Sequence, residues 1–413
     1  MKGKQRFFTI LILGLLSAIG PLSIDMYLPG FPDIARDLDT TISRVSLSLS
    51  SFFIGISAGQ FLYGPLLDRF GRKKPLYFGI TVYMLTSAGC VFVNSVDYLI
   101  ALRLIQALGG CVGMVASRAL VRDLFSVKDN AKVFSLLMLV VGVSPIIAPT
   151  LGGYMTAAFG WHSVFIALTF LGAFVLVAVH YALPLGMPPD PTFSLRPRQI
   201  INNFRMVFAE PQFYTYALTG SMASAGLYAY IAGSPYVFME IFGATERQYG
   251  WIFALIAAGL IASSQINTVM LEKYTSQQII RVALFCQAIT GLLLVAGSFF
   301  LFLNVYTTIA LCFLFLCCQG FTFPNTSALS LAPFAKKAGS ASALLGGIQM
   351  AIGALTSASV SFFSNHTAMP MVLVMGGCSL SALSILYMGR KIICEKASLQ
   401  MVEEETAEML TTT

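Results

Sequence analysis

Asp25 stands in Pro21-Leu22-Ser23-Ile24-Asp25-Met26-Tyr27-Leu28-Pro29, near the end of an apolar run that begins at about residue 7. A charge in the centre of a bilayer costs at least ~2.5–3.5 kcal/mol on insertion scales, so a carboxylate here must face protein or enclosed water. Such a group can take up and release a proton, and a bound cationic or polar ligand would compete with it. Arg103 lies at similar depth, each residue being about five positions, or ~7–8 Å, from the same end of its run. An ion pair or a shared water pocket between them is geometrically open, with Arg103 tuning the carboxylate. The structural alternatives are a fixed pair that only orients helices, or an Asp25 that meets water in an outer vestibule. Arg118, nearer the other end of its run, either faces a cavity or snorkels to the headgroups.

A second constellation follows the second apolar run, in Gly64-Pro65-Leu66-Leu67-Asp68-Arg69-Phe70-Gly71-Arg72-Lys73-Lys74. Glycines permit a tight turn and close backbone approach. Asp68 ends a helix, where the macrodipole disfavours a carboxylate, so it needs a nearby arginine or the positive end of another helix. A charge cluster that can exchange partners suits a gate between moving parts. In Gly142-Val143-Ser144-Pro145-Ile146-Ile147-Ala148-Pro149-Thr150-Leu151-Gly152-Gly153, two prolines bend a helix and small residues allow close packing. Tyr27, Met114, Tyr228 and Tyr236 are candidates, with Arg118, for lining an apolar substrate cavity.

The elements that must position these residues are membrane helices. Charged residues make up 10% of the 413-residue chain and hydrophobic ones 57%, against roughly 25% charged in soluble domains, so the surplus apolar surface needs lipid. A spanning helix takes ~20 apolar residues. That ruler predicts an all-α protein with twelve transmembrane helices, at about 7–30, 44–66, 75–94, 98–121, 131–157, 161–183, 212–238, 249–271, 278–303, 305–328, 339–363 and 368–388. The proline-rich connection 184–211 divides them into two six-helix halves, 1–183 and 212–390, followed by a tail, 391–413, read as solvated and disordered.

Placing the N-terminus in the cytoplasm gathers the Lys and Arg of 2–6, 69–74, 122–132, 196–205, 273–281, 336–337 and 390–396 on that side. Arg36, Arg44 and Arg247 alone fall outside, as the positive-inside rule requires. Both termini are then cytoplasmic. The order acid, base, aromatic in Asp68-Arg69-Phe70 recurs in Glu272-Lys273-Tyr274, an echo of the internal repeat many transporters carry.

The net charge of +7 is not gathered into a stripe, which argues against nucleic acid as partner. The cysteines lie almost wholly inside apolar runs without metal-ligand spacing and read as small core residues. No metal site, cofactor or nucleophile–base pair is indicated, so an enzyme is not expected.

Together these motifs resemble the major facilitator superfamily, and within it the bicyclomycin-resistance (Bcr/CflA) drug-efflux branch, over essentially the whole chain. Residues 21–29 look like that branch's first-helix signature. Gly64 to Lys73 is similar to the superfamily's loop signature, in which Asp68 and Arg72, with Asp123, would form the gating cluster beside Gly64, Arg69 and Gly71. Arg103-Leu104-Ile105-Gln106-Ala107-Leu108-Gly109 resembles the fourth-helix motif linked with proton transfer, with Ala107 where glycine is usual. Ala148-Pro149-Thr150-Leu151-Gly152-Gly153 resembles the antiporter motif of drug exporters, with Ala148 replacing its glycine, and Pro145 lies on the same helix. The resemblance implies a major facilitator fold and a monomer in a bacterial inner membrane. It implies export of small-molecule drugs against protons by alternating access of two halves. A proton-coupled transporter of an endogenous metabolite is the other reading the same residues allow.

Overall fold

The computed structural model describes residues 3–125, 127–184, 186, 188–190, 197–300, 302–334, 338–364 and 367–411. Apolar runs of this length cannot leave backbone groups unpaired in lipid, and they fold as helices. In chain order these are α1 Gly3–Asp25, α2 Phe31–Asp37, α3 Ile42–Phe70, α4 Lys73–Cys90, α5 Val96–Leu124, α6 Val127–Phe159, α7 His162–Ala182, α8 Pro197–Phe208, α9 Pro211–Pro235, α10 Glu246–Met270, α11 Ser276–Phe299, α12 Val305–Leu331, α13 Ala338–Phe362 and α14 Met369–Thr411. Twelve of them cross the membrane; α2 and α8 are short. Starts are set by side-chain caps. Thr245, Thr275 and Asn304 close reciprocal capping boxes with Gln248, Gln278 and Thr307, which satisfy amides the helix leaves free.

Ten helices pass as spans on length and apolarity alone. The other two are α4, which begins on Lys73 and Lys74, and α9. The polarity of α9 is turned inward: Thr215, Thr219, Ser221, Ser224 and Ser234 are all buried. Large exposed side chains such as Phe92, Tyr98, Phe170, Phe299 and Phe362 form the surface that lipid covers.

The packing scheme of the first six spans repeats in the second six. The pairs α1·α5, α1·α6, α1·α7, α3·α5, α4·α5 and α4·α7 have counterparts in α9·α12, α9·α13, α9·α14, α10·α12, α11·α12 and α11·α14. Two seams, α3 on α13 and α6 on α10, carry most of the contact between the halves. They are each other's counterparts under the same repeat.

Two elements depart from expectation. The first span does not run on to residue 30: α1 stops at Asp25, and a 3-10 turn at Leu28–Gly30 leads into α2. The tail is also helical, because α14 continues to Thr411. Residues 391–411 contain no Gly or Pro and are rich in Glu, Lys, Met, Leu and Ala, all good helix formers. Pro191, Arg196, Lys336 and Lys337, used above for the connection and for charge, lie outside the described residues.

Candidate functional site

Asp25 is the last residue of α1 and is 4% exposed. It accepts no hydrogen bond and joins no ion pair among the described residues. The expected pairing with Arg103 is not formed. Arg103 is fully buried and donates from Nη1 to Gln106 Oε1 at 2.6 Å and from Nη2 to the Ser23 carbonyl at 2.8 Å. Its guanidinium lies between the rings of Tyr27 and Phe52, 4.3 and 4.1 Å from their centroids.

The reason is azimuth. Ser23 and Tyr27, four residues apart, share a face of the chain, while Asp25 is about 200° from each at ~100° per residue. Matching depth did not bring the two charges together. What Arg103 does is close the end of α1: Ser23 belongs to the last turn, whose carbonyls have no intrahelical partner, and a cation is favourable there. Gln106 Nε2 passes the network to Ser87 Oγ at 2.6 Å, and Ser23 Oγ and Tyr83 Oη lie 2.7 Å apart.

Asp25 instead lies near two tyrosines of the other half. Tyr230 of α9 and Tyr249 of α10 lie within its electrostatic reach. Tyr249 Oη is 2.9 Å from Ser234 Oγ, while the buried Tyr230 Oη has no hydrogen bond of normal geometry. Tyr249 escaped the sequence reading because aromatics are common in membrane helices. The second half also holds a polar node in which Gln319 Nε2 and Gln349 Nε2 both donate to Ser224 Oγ, at 2.5 and 3.1 Å. Gln319 on α12 is the repeat counterpart of Gln106 on α5, but Leu316 stands where Arg103 would be. The arginine is thus peculiar to the first half.

At the opposite end of the bundle, Arg72 binds two carboxylates. Its Nη1 donates to Asp68 Oδ1 and its Nε to Asp123 Oδ2, both at 2.7 Å. Burial alone would lower the proton affinity of the guanidinium, but the hydrogen bonds and charges of Asp123 and Asp68 outweigh it and hold it above its ordinary value. Gly71 has φ +78° and turns the chain from α3 into α4. A side chain there would also press on Pro189.

The connection between the halves docks on this cluster. The Asp190 amide donates to the Asp68 carbonyl at 3.2 Å, and Gly186, φ +67°, lies against Arg72 and Asp123. Sequence gave no sign of that docking. Gly64 is a correction: it sits inside α3, and a methyl added there would meet nothing within 4 Å. Neither a turn nor close packing requires it. Arg69 is partly buried beside the cluster.

Pro145 and Pro149 lie inside α6, and the glycines after them are contact points. A Cβ on Gly152 would fall 1.8 Å from the Met26 carbonyl oxygen, and one on Gly153 2.5 Å from that of Glu246. No side chain fits either place.

The cavity candidates separate. Tyr27 is sealed beneath Arg103, with its hydroxyl 2.8 Å from Ser48 Oγ, so it does not line a cavity. Tyr228 packs on Phe53 across the halves, ring centroids 4.9 Å apart. Tyr236 borders a small cleft with Ser46, Ala232, Val360, Ser361 and Met371. Met114 lies against Gly20, one turn from Arg118.

Comparison with known proteins agrees with this architecture. The family model described as Major Facilitator Superfamily matches residues 13–358. The chain belongs to the major facilitator superfamily. It is 32% identical over 375 residues to the bicyclomycin resistance protein homolog of Haemophilus influenzae, covering 91% of this chain and 94% of that one, which places it in the bicyclomycin-resistance branch. It is 29% identical over 370 residues to multidrug resistance protein D of Escherichia coli, covering 87% and 90%. Among solved structures, a D-xylose–proton symporter matches with a TM-score of 0.68 at 13% identity, over 92% of this chain and 97% of that one, a likeness of fold. The superfamily member is a multi-pass membrane transporter and not an enzyme.

Proposed function

We propose that this superfamily member exports drugs in exchange for protons by alternating access, with Asp25 as the coupling carboxylate. The observation that carries the reading is Asp25 itself: a buried acid with no ion pair among the described residues, at a helix end, near Tyr230 and Tyr249 of the other half. An isolated carboxylate in such a place can hold a proton or the positive pole of a ligand, and a change in what the second half presents to it would trade one for the other. Arg103 then acts as a positioning residue for the end of α1. The relatives named for bicyclomycin and multidrug resistance support drugs as the cargo.

In this reading residues 1–183 and 212–390 rock against each other in a bacterial inner membrane, with both termini and the 184–211 connection in the cytoplasm. Arg72, Asp68 and Asp123 latch the cytoplasmic end, and Gly153, packed on Glu246 of α10, seals the other. The test is proton movement in proteoliposomes on adding drugs. Drug-triggered proton flux is expected from the wild type and none from Asp25→Asn, with both proteins incorporated equally. Undiminished flux in the variant would remove Asp25 from the mechanism. A wild type silent to every drug would point to an endogenous metabolite as cargo.

A further inference from the structure

Arg118 is a second charge within the bundle that the transport scheme above does not use. It lies on α5, about 15 residues and ~22 Å along the helix from Arg103, toward the Arg72 end. Its position around the helix excludes the lipid. The lipid-facing stripe of α5 is marked by the exposed Tyr98 and Ile105. At ~100° per residue, Arg118 points about 160° and about 140° away from them. It falls instead on the stripe that meets α3, within about 20° of Ala107 and Cys111 and about 40° from Met114 on the α1 side. Gly113, Met114 and Ser117 meet α1, and Ala107 and Cys111 meet α3.

Arg118 is exposed although it points away from the lipid-facing stripe, so it borders an internal space. It has no hydrogen bond, ion pair or ring contact among the described residues. Nor can the spans supply a counter-charge. No Asp or Glu occurs in 7–24, 42–67, 133–159, 211–239, 247–271, 305–331 or 338–362. Asp123, five residues from Arg118 on α5, is held by Arg72, and Asp25 lies at Arg103's depth, near Tyr230 and Tyr249.

A guanidinium held this way has five donors in a planar fork and no acceptor. It matches an oxygen acceptor, best of all a carboxylate bound through two N–H groups, and it repels a cation. We infer that Arg118 is a substrate-specificity residue, selecting ligands that present acceptor oxygens, anionic or neutral, over lipophilic cations. Met114, one turn away, offers the adaptable apolar wall that aromatic ligands need. The assignment rests on the exporter reading above and deepens it by naming the ligand chemistry.

Equilibrium binding to the purified full-length protein tests it with three probes: nalidixate, an aromatic carboxylate; chloramphenicol, neutral with nitro and carbonyl oxygens; and tetraphenylphosphonium, a cation. Wild type should bind nalidixate and chloramphenicol at least about tenfold more tightly than the phosphonium. Arg118→Gln should weaken nalidixate by about tenfold or more, the effect of losing one charged hydrogen-bond donor, and leave the phosphonium unchanged or improved. Arg118→Lys should recover part of the nalidixate affinity.

Equal nalidixate affinity in wild type and Arg118→Gln overturns the inference, as does tighter phosphonium binding by the wild type. Should Arg118→Gln not fold, the wild-type ranking and Arg118→Lys still decide. Proton release in proteoliposomes, read with the same probes, bears separately on the exporter reading. That reading can fail through absent proton movement while the binding ranking still upholds Arg118.

Discussion

Arg103 shows how one side chain can organise a helix end without touching the group it was expected to serve. It ties α1 through the Ser23 carbonyl, α3 through Phe52 and its own helix through Gln106. Lysine cannot reproduce this, because it lacks the planar fork and stacks poorly between two rings. Arg103→Lys should therefore lower the melting temperature in detergent, reflecting a loss of roughly 1–3 kcal/mol, and reduce transport even though the charge is kept. Unchanged stability would mean the hydrogen bonds and stacking do not hold α1. Arg72 offers a sharper test, since it and Asp123 are 6% and 7% exposed. Removing one partner of a buried pair strands the other at a cost of about 3–5 kcal/mol. Arg72→Ala should thus destabilise the protein more than the double variant Arg72→Ala/Asp123→Asn, measured as thermal unfolding in a double-mutant cycle. Equal losses would show the pair to be solvated.

At the scale of the element, close approach decides which glycines matter. Gly152→Ala would drive a methyl into the Met26 backbone, which cannot rotate away, so it should sharply reduce transport while the protein still inserts. Gly377→Ala on α14, where a methyl meets nothing within 4 Å, should be neutral and if anything favour the helix. Equal activity of the two variants would overturn the argument. The spans and their order were legible in sequence because hydropathy and charge report on depth and ends, and the grouping of Asp68 with Arg72 came from the resemblance of the 64–73 motif to the superfamily's loop signature. What could not be read was direction around the helix axis, which separates Asp25 from Arg103 and places Arg118 inward. That depends on which neighbours each face meets. Nor could the break after Asp25 be read: the run stays apolar through Leu28 and Pro29, so hydropathy continues where the helix does not. The docking of Gly186 and Asp190 on the Arg72 cluster joins segments far apart in sequence, with no pattern to announce it.

At the scale of the whole molecule, the two halves meet along seams that the repeat makes equivalent, and the alternating access proposed above requires those seams to move. The α6–α10 seam is tightest at the end remote from Arg72, at Gly153 and Gly250, and loosens toward Gly142, where the nearest atom across it is 3.9 Å from an added Cβ. The α3–α13 seam is held by hydroxyls, including Ser50 Oγ donating to Ser357 Oγ at 2.8 Å. Two side chains at that spacing are near enough for a disulfide once both are cysteine. Oxidised Ser50→Cys/Ser357→Cys should therefore stop drug-driven proton flux, reduction should restore it, and each single variant should be active under both conditions. A fully cross-linked protein that still transports would mean the halves pivot about this seam without parting there. The opening would then have to lie at the α6–α10 seam, whose uneven closeness already suits a hinge that swings at one end.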